Sequence, residues 1–363
     1  MESKKNILLV SHDMSMTGAP VALHYAARAL KKRGDFVVVL SPYDGNMKKE
    51  ILSDNIPVII DHSIESGHFW ITFADNFDLI IVSTLVQYKM ISNLEKLNKP
   101  IIWWVHEAKS NYSAMNLDKK LPDTLNENIH VYCGGDYAKD ILKGFRPSYK
   151  TDILLYGVSE YVLEQNKIYY KLENPENKMI FLSVGTFEFR KGQDLLAKAI
   201  TEMPVEYLEK IKFIFVGKAA DKKIYDDVFA VSKKYPDSVE MIEYLSRDEI
   251  RDLYQQSDCI ICSSRDDPMP VFMTECMILS KILICSENTG TASLIEDKKS
   301  GFIFHNDSYK ELLKIIIYII QNKNSLEDIK KNARKIYENY FSEEVFEKNI
   351  YKIVDKFIVN EGK

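Results

Sequence analysis

The chain has 363 residues, 46% hydrophobic and 28% charged, with a formal net charge of −5. These values describe a globular protein long enough for two domains, with no overall basic character to hold nucleic acid. Its five cysteines, Cys133, Cys259, Cys262, Cys276 and Cys285, are odd in number and lie mostly in apolar runs. Buried, reduced thiols fit that pattern better than a disulfide framework, or a redox or metal site at the CxxC spacing of Cys259 and Cys262.

At the N-terminus, lysines precede only the four apolar residues ILLV, fewer than the roughly 7–15 of a secretory signal, so a first strand is expected. The apolar stretch Leu312 to Ile320 is far short of the ~20 residues that span a bilayer. A soluble, cytoplasmic protein is expected, and peripheral docking on the inner membrane face stays compatible with it.

Asn6–Ser11 reads as a short buried strand, and Val21 to Lys32 as a helix with Ala22, Tyr25, Ala26, Ala29 and Leu30 on one face. Phe36–Ser41, Val58–Ile60, Leu79–Ser83 and Ile101–Val105 then read as strands separated by helix-length segments. Near-continuous hydrophobicity of this kind marks a parallel sheet covered on both faces. The rhythm stops near Leu154–Val158, passes through the polar stretch Glu164–Lys178, and restarts. Met179–Val184, Lys212–Val216, Val239–Glu243, Cys259–Ser263 and Ile282–Ser286 are the strands of a second unit, and Ser342–Val359 is a terminal amphipathic helix. The expected layout is an N-terminal domain over 1–163, a linker over 164–178, a second domain over 179–340, and a terminal helix over 341–363. Two doubly wound sheets bind ligands beyond the carboxyl ends of their strands, and two of them facing each other would share a cleft.

The residues after each strand are therefore the candidates. Gly18 lies just ahead of a helix whose first turn holds Pro20, and free amides there can hold a phosphate or a sugar hydroxyl. A single glycine is not GxGxxG, so the dinucleotide fingerprint is absent. His106 and Glu107 follow the strand IIWWV, where a His can donate to a substrate oxygen. Arg190 and Lys191 stand beside Gly192 at a helix start, an arrangement suited to a diphosphate, with a solvated surface pair as the lesser alternative. In SSRDDPMPVFMTECM, Asp267 reads as an N-cap with Pro268 at the first helical position. Glu275 would then lie about 12 Å further along. Met269, Val271 and Phe272 keep their amide donors between these two acids. That suits an extended ligand with hydroxyls at both ends and a diphosphate in the middle, and it also describes an ordinary capped helix.

Together these segments resemble the retaining GT-B glycosyltransferases of glycosyltransferase family 4, over essentially the whole chain. The family's paired acids, with seven residues between them, stand here as Asp267 and Glu275. TGAP, WVHE, YGV, VGTFEFRKGQ, FIFVG, LYQQSD and SENTGTASLIEDKKSGFIF follow the family's order. The resemblance implies that Glu275 holds the ribose hydroxyls, Asp267 the donor sugar, and Arg190 and Lys191 the diphosphate, helped by amides near Val271 and Phe272. Gly18 would sit near the phosphate or acceptor, His106 would contact the transferring sugar, and the base would pack near Glu243, Tyr244 and Leu245. The terminal helix would cross back onto the first domain. Three departures touch the donor site: Asp267 is one methylene shorter than the usual Glu, Pro270 replaces a Gly, and Thr186 stands where many members carry Arg.

The activity this resemblance implies is hexosyl or N-acetylhexosaminyl transfer from a UDP-linked donor, with retention and with neither metal nor cofactor. The acceptor would be a glycan, a lipid-linked sugar or a protein, with Tyr43, Trp70, Tyr88 and Tyr112 as exposed aromatics to meet it. A non-catalytic partner subunit, a GT-B epimerase of UDP-sugars and a nicotinamide-dependent oxidoreductase are the competing readings.

Overall fold

The computed structural model describes residues 4–64, 68–160 and 168–358. They form two compact units, one from the described residues up to Ser159 together with those from Tyr340 onward, the other from Glu160 to Asn339. Residues 164–167 of the expected linker, and 359–363 at the end of the expected terminal helix, lie outside the described residues.

The first unit holds seven strands: β1 (Asn6–Val10), β2 (Phe36–Ser41), β3 (Val58–Ile60), β4 (Leu79–Ser83), β5 (Ile101–Val105), β6 (Ile129–Cys133) and β7 (Thr151–Ile153). All pair in parallel, in the order β3-β2-β1-β4-β5-β6-β7. Ile7 lies opposite Val37 on one side and Leu79 on the other, so the order reverses between β1 and β4. Right-handed crossovers then place helices on opposite faces of the two halves. That is why β4 and β5 are buried at every position. Successive side chains of a strand point to opposite faces. Trp103 accordingly enters the core on one face, and Trp104 stacks on Phe346 across the other, ring centroids 6.0 Å apart. Both indole N–H groups are satisfied, Trp103 donating to the Thr84 carbonyl and Trp104 to that of Leu154.

Helix α1 (Gly18–Arg33) packs against the terminal helix Glu343–Ile358 within this unit. Lys32 pairs with Glu347 (2.7 Å), Arg33 with Asp355 (2.8 Å), and the Tyr351 hydroxyl donates to the Ala29 carbonyl. Gly157 lies against the Phe346 ring, where an added Cβ would come within 2.7 Å.

The second unit holds β8 (Met179–Val184), β9 (Ile211–Val216), β10 (Val239–Ile242), β11 (Cys259–Cys262), β12 (Ile282–Ser286) and β13 (Phe302–Phe304). They too are parallel, ordered β10-β9-β8-β11-β12-β13, with the reversal between β8 and β11. Its core is rich in aromatics, with Phe181, Phe213, Phe215, Phe302 and Phe304 essentially enclosed. The helices that matter for the site are α2 (Gln193–Thr201), α3 (Arg247–Gln256) and α4 (Val271–Ile278). All five cysteines are free and buried. No helix among the described residues is long and apolar enough to cross a membrane.

Strands β6, β7 and β13 are additions to the sequence reading. β7 and β13 have three residues each, with polar Thr151 and Asp152 breaking the apolar run in β7, and β6 carries a half-buried His130. The helix expected from Asp267 begins instead at Val271, with Pro270 as its N-cap residue. A residue preceding proline is driven out of the helical region. Pro268 and Pro270 therefore hold Asp267 and Met269 extended, and Asp267 forms a parallel bridge with Thr289.

Candidate functional site

In each unit the order of strands reverses at a crevice where ligands of open parallel sheets bind. In the second unit that crevice lies beyond β8 and β11. After β8 the chain makes a tight turn over Phe189–Lys191, followed by Gly192 at φ +65°. A Cβ on Gly192 would lie 2.1 Å from the Ser263 carbonyl oxygen, so only glycine lets this turn rest against the end of β11. Arg265 fixes it from the other side: its amide donates to the Arg190 carbonyl (2.8 Å). Its guanidinium lies 4.1 Å from the Phe189 ring centroid and grips both oxygens of Asp194.

This approach brings three of the expected site residues together. Lys191 Nζ donates to Asp267 Oδ2 at 2.5 Å, and the Asp267 side chain is only 6% exposed. Arg190 Nη1 lies 4.0 Å from the same oxygen and donates to the Asp266 carbonyl, while Nη2 pairs with Glu188 at 2.8 Å. The alternative of a solvated surface pair does not describe these residues, since both cations hold carboxylates. Asp267 is strapped in turn to the loop after β12: its amide donates to Asn288 and its carbonyl accepts from Gly290. A side chain at Gly290 would collide with the Pro268 carbonyl at 1.7 Å.

Helix α4 starts three residues past Pro268 and carries no acid in its first turn. The amides of Val271 and Phe272 have no acceptor within the helix and face outward from its positive end. Met269, half-buried, stays in the extended approach. One turn into α4, Glu275 is buried, and Arg247 at the start of α3 reaches it at 3.5 Å. Burial raises the Glu275 pKa above the usual carboxylate range, against the pull of Arg247, Arg251 and the Tyr254 hydroxyl. Glu243, Tyr244 and Leu245 form the loop between β10 and α3, with the Tyr244 ring exposed and Lys218 Nζ 5.3 Å from its centroid. Arg247, the partner of Glu275, thus follows this loop by two residues.

In the first unit Gly18 is exposed at the start of α1, after an extended Thr17. His106 follows β5 and tilts against Trp104, with ring centroids 4.6 Å apart. Its Nε2 is enclosed without a protein partner. Burial, with His12 close by, pushes its pKa down to about 3, so the ring is neutral. Glu107 is also buried; its pKa is pushed up to about 7 by burial against the amides that bond it.

These two shifts act oppositely on stability. Between roughly pH 4.3 and 7 folded Glu107 keeps a proton that the unfolded chain has lost, so stability falls as pH rises through that window. Between about pH 3 and ~6.5 the unfolded chain protonates His106 and the folded one does not, so stability rises. Their effects cancel where the windows overlap. Glu107→Gln should uncover the His106 limb. Its unfolding free energy relative to wild type should climb between pH 4.5 and 7, by at most about 1.4 kcal/mol per pH unit. Guanidinium titrations at a series of pH values would read this directly, and a pH-independent difference would contradict it.

Residues 164–336 match the model of the family described as glycosyl transferases group 1, and residues 3–129 match that of glycosyl-transferase family 4. The chain belongs to this glycosyltransferase family. Spore coat protein SA of Bacillus subtilis (strain 168) is 23% identical over 254 residues, 68% of this chain and 63% of the relative. The chain thus spans less than two thirds of that relative's length, and about half of the lengths of two other curated relatives. Among solved structures, Anabaena Alr3699/HepE in complex with UDP-glucose superposes with a TM-score of 0.76 at 17% identity, covering 97% of this chain and all of that one. Sucrose-phosphate synthase from Thermosynechococcus elongatus gives the same TM-score at 14% identity, over 98% of this chain and 100% of its own. At such identity the likeness establishes the fold, which is GT-B.

For this family member the surface aromatics need correction. Of the four, only Tyr43 is exposed; Tyr88 is half-buried, Trp70 packs against Phe69 and Phe73, and Tyr112 stacks on Phe145 in the core. Four participants escaped the sequence reading: Thr84, Arg247, Arg265 and Gly290. Arg247 was open to detection, because Ser246 and Glu249 spell a capping box that places it at the start of a helix.

Proposed function

We propose that the chain transfers a hexosyl or N-acetylhexosaminyl group from a UDP-linked donor to a glycan, lipid-linked or protein acceptor, with retention at the anomeric carbon. The setting would be synthesis of cell-surface polysaccharide or glycoconjugate. The observation that carries this reading is the convergence of Lys191 and Arg190 on Asp267, four residues ahead of the helix start at Val271. The bond from the anomeric carbon to the diphosphate oxygen breaks, and the negative charge released is met by Lys191, Arg190 and the start of α4. The acceptor hydroxyl forms the new bond and gives its proton to the departing phosphate. Glu275 holds the ribose hydroxyls, the Glu243–Leu245 loop the base, with the exposed Tyr244 ring as its platform. Asp267, with one methylene fewer than the family's usual Glu, orients Lys191 as well as meeting the sugar. Gly18 supplies an amide to the phosphate or acceptor, and neutral His106 a hydrogen bond to the transferring sugar.

The test is release of nucleoside diphosphate from a panel of UDP- and GDP-sugars by the purified chain. UDP-sugars should be turned over, with retained configuration in the product and a rate unchanged by EDTA. If no donor is hydrolysed or transferred, the chain is better described as a non-catalytic partner subunit.

A further inference from the structure

Immediately beyond β4, Thr84 has φ 73° and ψ 154°. That region is nearly closed to any residue but glycine, and least tolerable for a β-branched one. Strain of this kind persists only where the surroundings impose it. Here the Thr84 amide donates to the Trp104 carbonyl (2.8 Å), and the Thr84 carbonyl accepts from Trp103 Nε1 (2.8 Å). The next amide, Leu85, donates to Glu107 Oε1 at 2.5 Å. The other oxygen of that carboxylate accepts from the His106 amide at 2.9 Å. The amides of Val86 and of Glu107 itself point to the same group. One carboxylate therefore ties the end of β4 to the end of β5.

The strained turn leaves a particular set of atoms unpaired. Thr84 Oγ1 and His106 Nε2 are both enclosed and lack a protein partner, as are Ser83 Oγ and Gln87 Oε1. Ser83, Thr84 and Gln87 are each at least nine-tenths buried. Orphaned polar atoms are costly, by roughly 1–3 kcal/mol each, and a fold that needed only stability would have paired or removed them. They gather where the strand order reverses between β1 and β4 and along the adjoining end of β5.

We propose that Glu107 is a positioning residue whose carboxylate, bridging the Leu85 and His106 amides, holds Thr84 Oγ1 and His106 Nε2 in place to meet the transferring sugar. This rests on the proposed function, which puts the sugar at His106. The role requires both carboxylate oxygens as acceptors; protonation, or replacement by an amide, removes one of them. Because burial raises its pKa to about 7, Glu107 changes charge within the working range. The groups that face it do not: His106 is held neutral by burial, the Tyr112 hydroxyl is pushed up, and the Cys133 thiol is pushed up to about 12, while burial lowers the pKa of His12 beside His106.

The experiment is the pH dependence of donor turnover in wild type, Glu107→Gln and Glu107→Asp. Wild-type kcat should rise about tenfold from pH 6 to pH 8 as the carboxylate ionises. Glu107→Gln should lose about 100-fold in kcat, as small misplacements near reacting atoms do, with KM for the donor within about twofold and a flat profile. Glu107→Asp should keep the rise with pH at a lower kcat. Wild-type rate in Glu107→Gln, or the same pH profile in that variant, overturns the proposal. If Glu107→Gln does not fold, the wild-type profile decides, and a flat one is equally fatal. Should wild type hydrolyse no donor at all, the donor reading is what fails. The His106 ring resonances then still test the positioning: they should shift near pH 7 in wild type, and no shift there overturns it.

Discussion

Lys191→Ala should lower kcat by about 10²–10³-fold, the loss seen when one fixed stabiliser of developing negative charge is removed. Lys191 is the cation that the turn allowed by Gly192 sets against Asp267, and Thr186 supplies no second Arg beside it. Arg190 cannot replace it, since its guanidinium is already divided between Glu188 and the Asp266 carbonyl. The same substitution has a structural cost. It leaves the nearly enclosed Asp267 carboxylate with Arg190 at 4.0 Å and the Ser264 hydroxyl at 3.4 Å as its remaining partners. A loss of roughly 1–3 kcal/mol in unfolding free energy is expected from a buried group deprived of its partner. The two effects separate in the double variant Lys191→Ala/Asp267→Asn, which should recover most of the stability and none of the rate. Steady-state UDP release at saturating donor and denaturant unfolding are the measurements. Near-normal turnover in Lys191→Ala removes the lysine from the chemistry.

Much of the fold was legible because parallel strands buried on both faces leave runs such as LIIVS and IIWWV with no polar position to obscure them. The strands that escaped are those where burial is incomplete or polar residues break the apolar run, β7 above all. The site was harder to read, for two physical reasons. Local chemistry at Asp267 satisfies the rules for an N-cap, yet the second proline two residues beyond Pro268 overrides them, and the carboxylate becomes an ion-pair partner instead of a cap. Contacts between distant loops leave no local signature either: nothing near Gly290 announces that it must lie against the Pro268 carbonyl. The strain at Thr84 is similarly invisible, because the sequence there, VSTLV, favours the extended backbone and carries no glycine. The groups that frame it lie far along the chain: Trp103, Trp104 and the Glu107 carboxylate twenty-three residues on.

The two carboxylates with raised pKa values, Glu107 and Glu275, share a logic. Each is buried at a cost that grows as pH rises, so neither is present for the sake of stability at neutral pH. For Glu107 the form proposed to act, the ionised one, is the less stable one. Costly groups kept at the carboxyl end of a sheet are better explained by what they bind or position than by what they hold together.

Glu275→Ala should weaken UDP binding by about 10- to 100-fold, the 1.5–3 kcal/mol attached to hydrogen bonds with a charged partner. The ribose hydroxyls would donate to the carboxylate, so the ionised form binds and the protonated form binds poorly. With its pKa raised by burial, Glu275 takes up a proton at a higher pH than an ordinary carboxylate, and wild-type affinity should fall as pH is lowered into that range. UDP binding there releases the proton, which calorimetry in buffers of different ionisation enthalpy would detect. Glu275→Ala should abolish both the pH dependence and the proton release. Stability offers the control. Arg247, the ion-pair partner, is 39% exposed and returns to water without penalty, and an isosteric Glu275→Gln removes a buried charge. That variant should therefore be at least as stable as wild type at neutral pH while binding UDP weakly. An unchanged dissociation constant in Glu275→Ala assigns the ribose elsewhere; weak binding accompanied by a large loss of stability in Glu275→Gln makes Glu275 a structural partner of Arg247 instead.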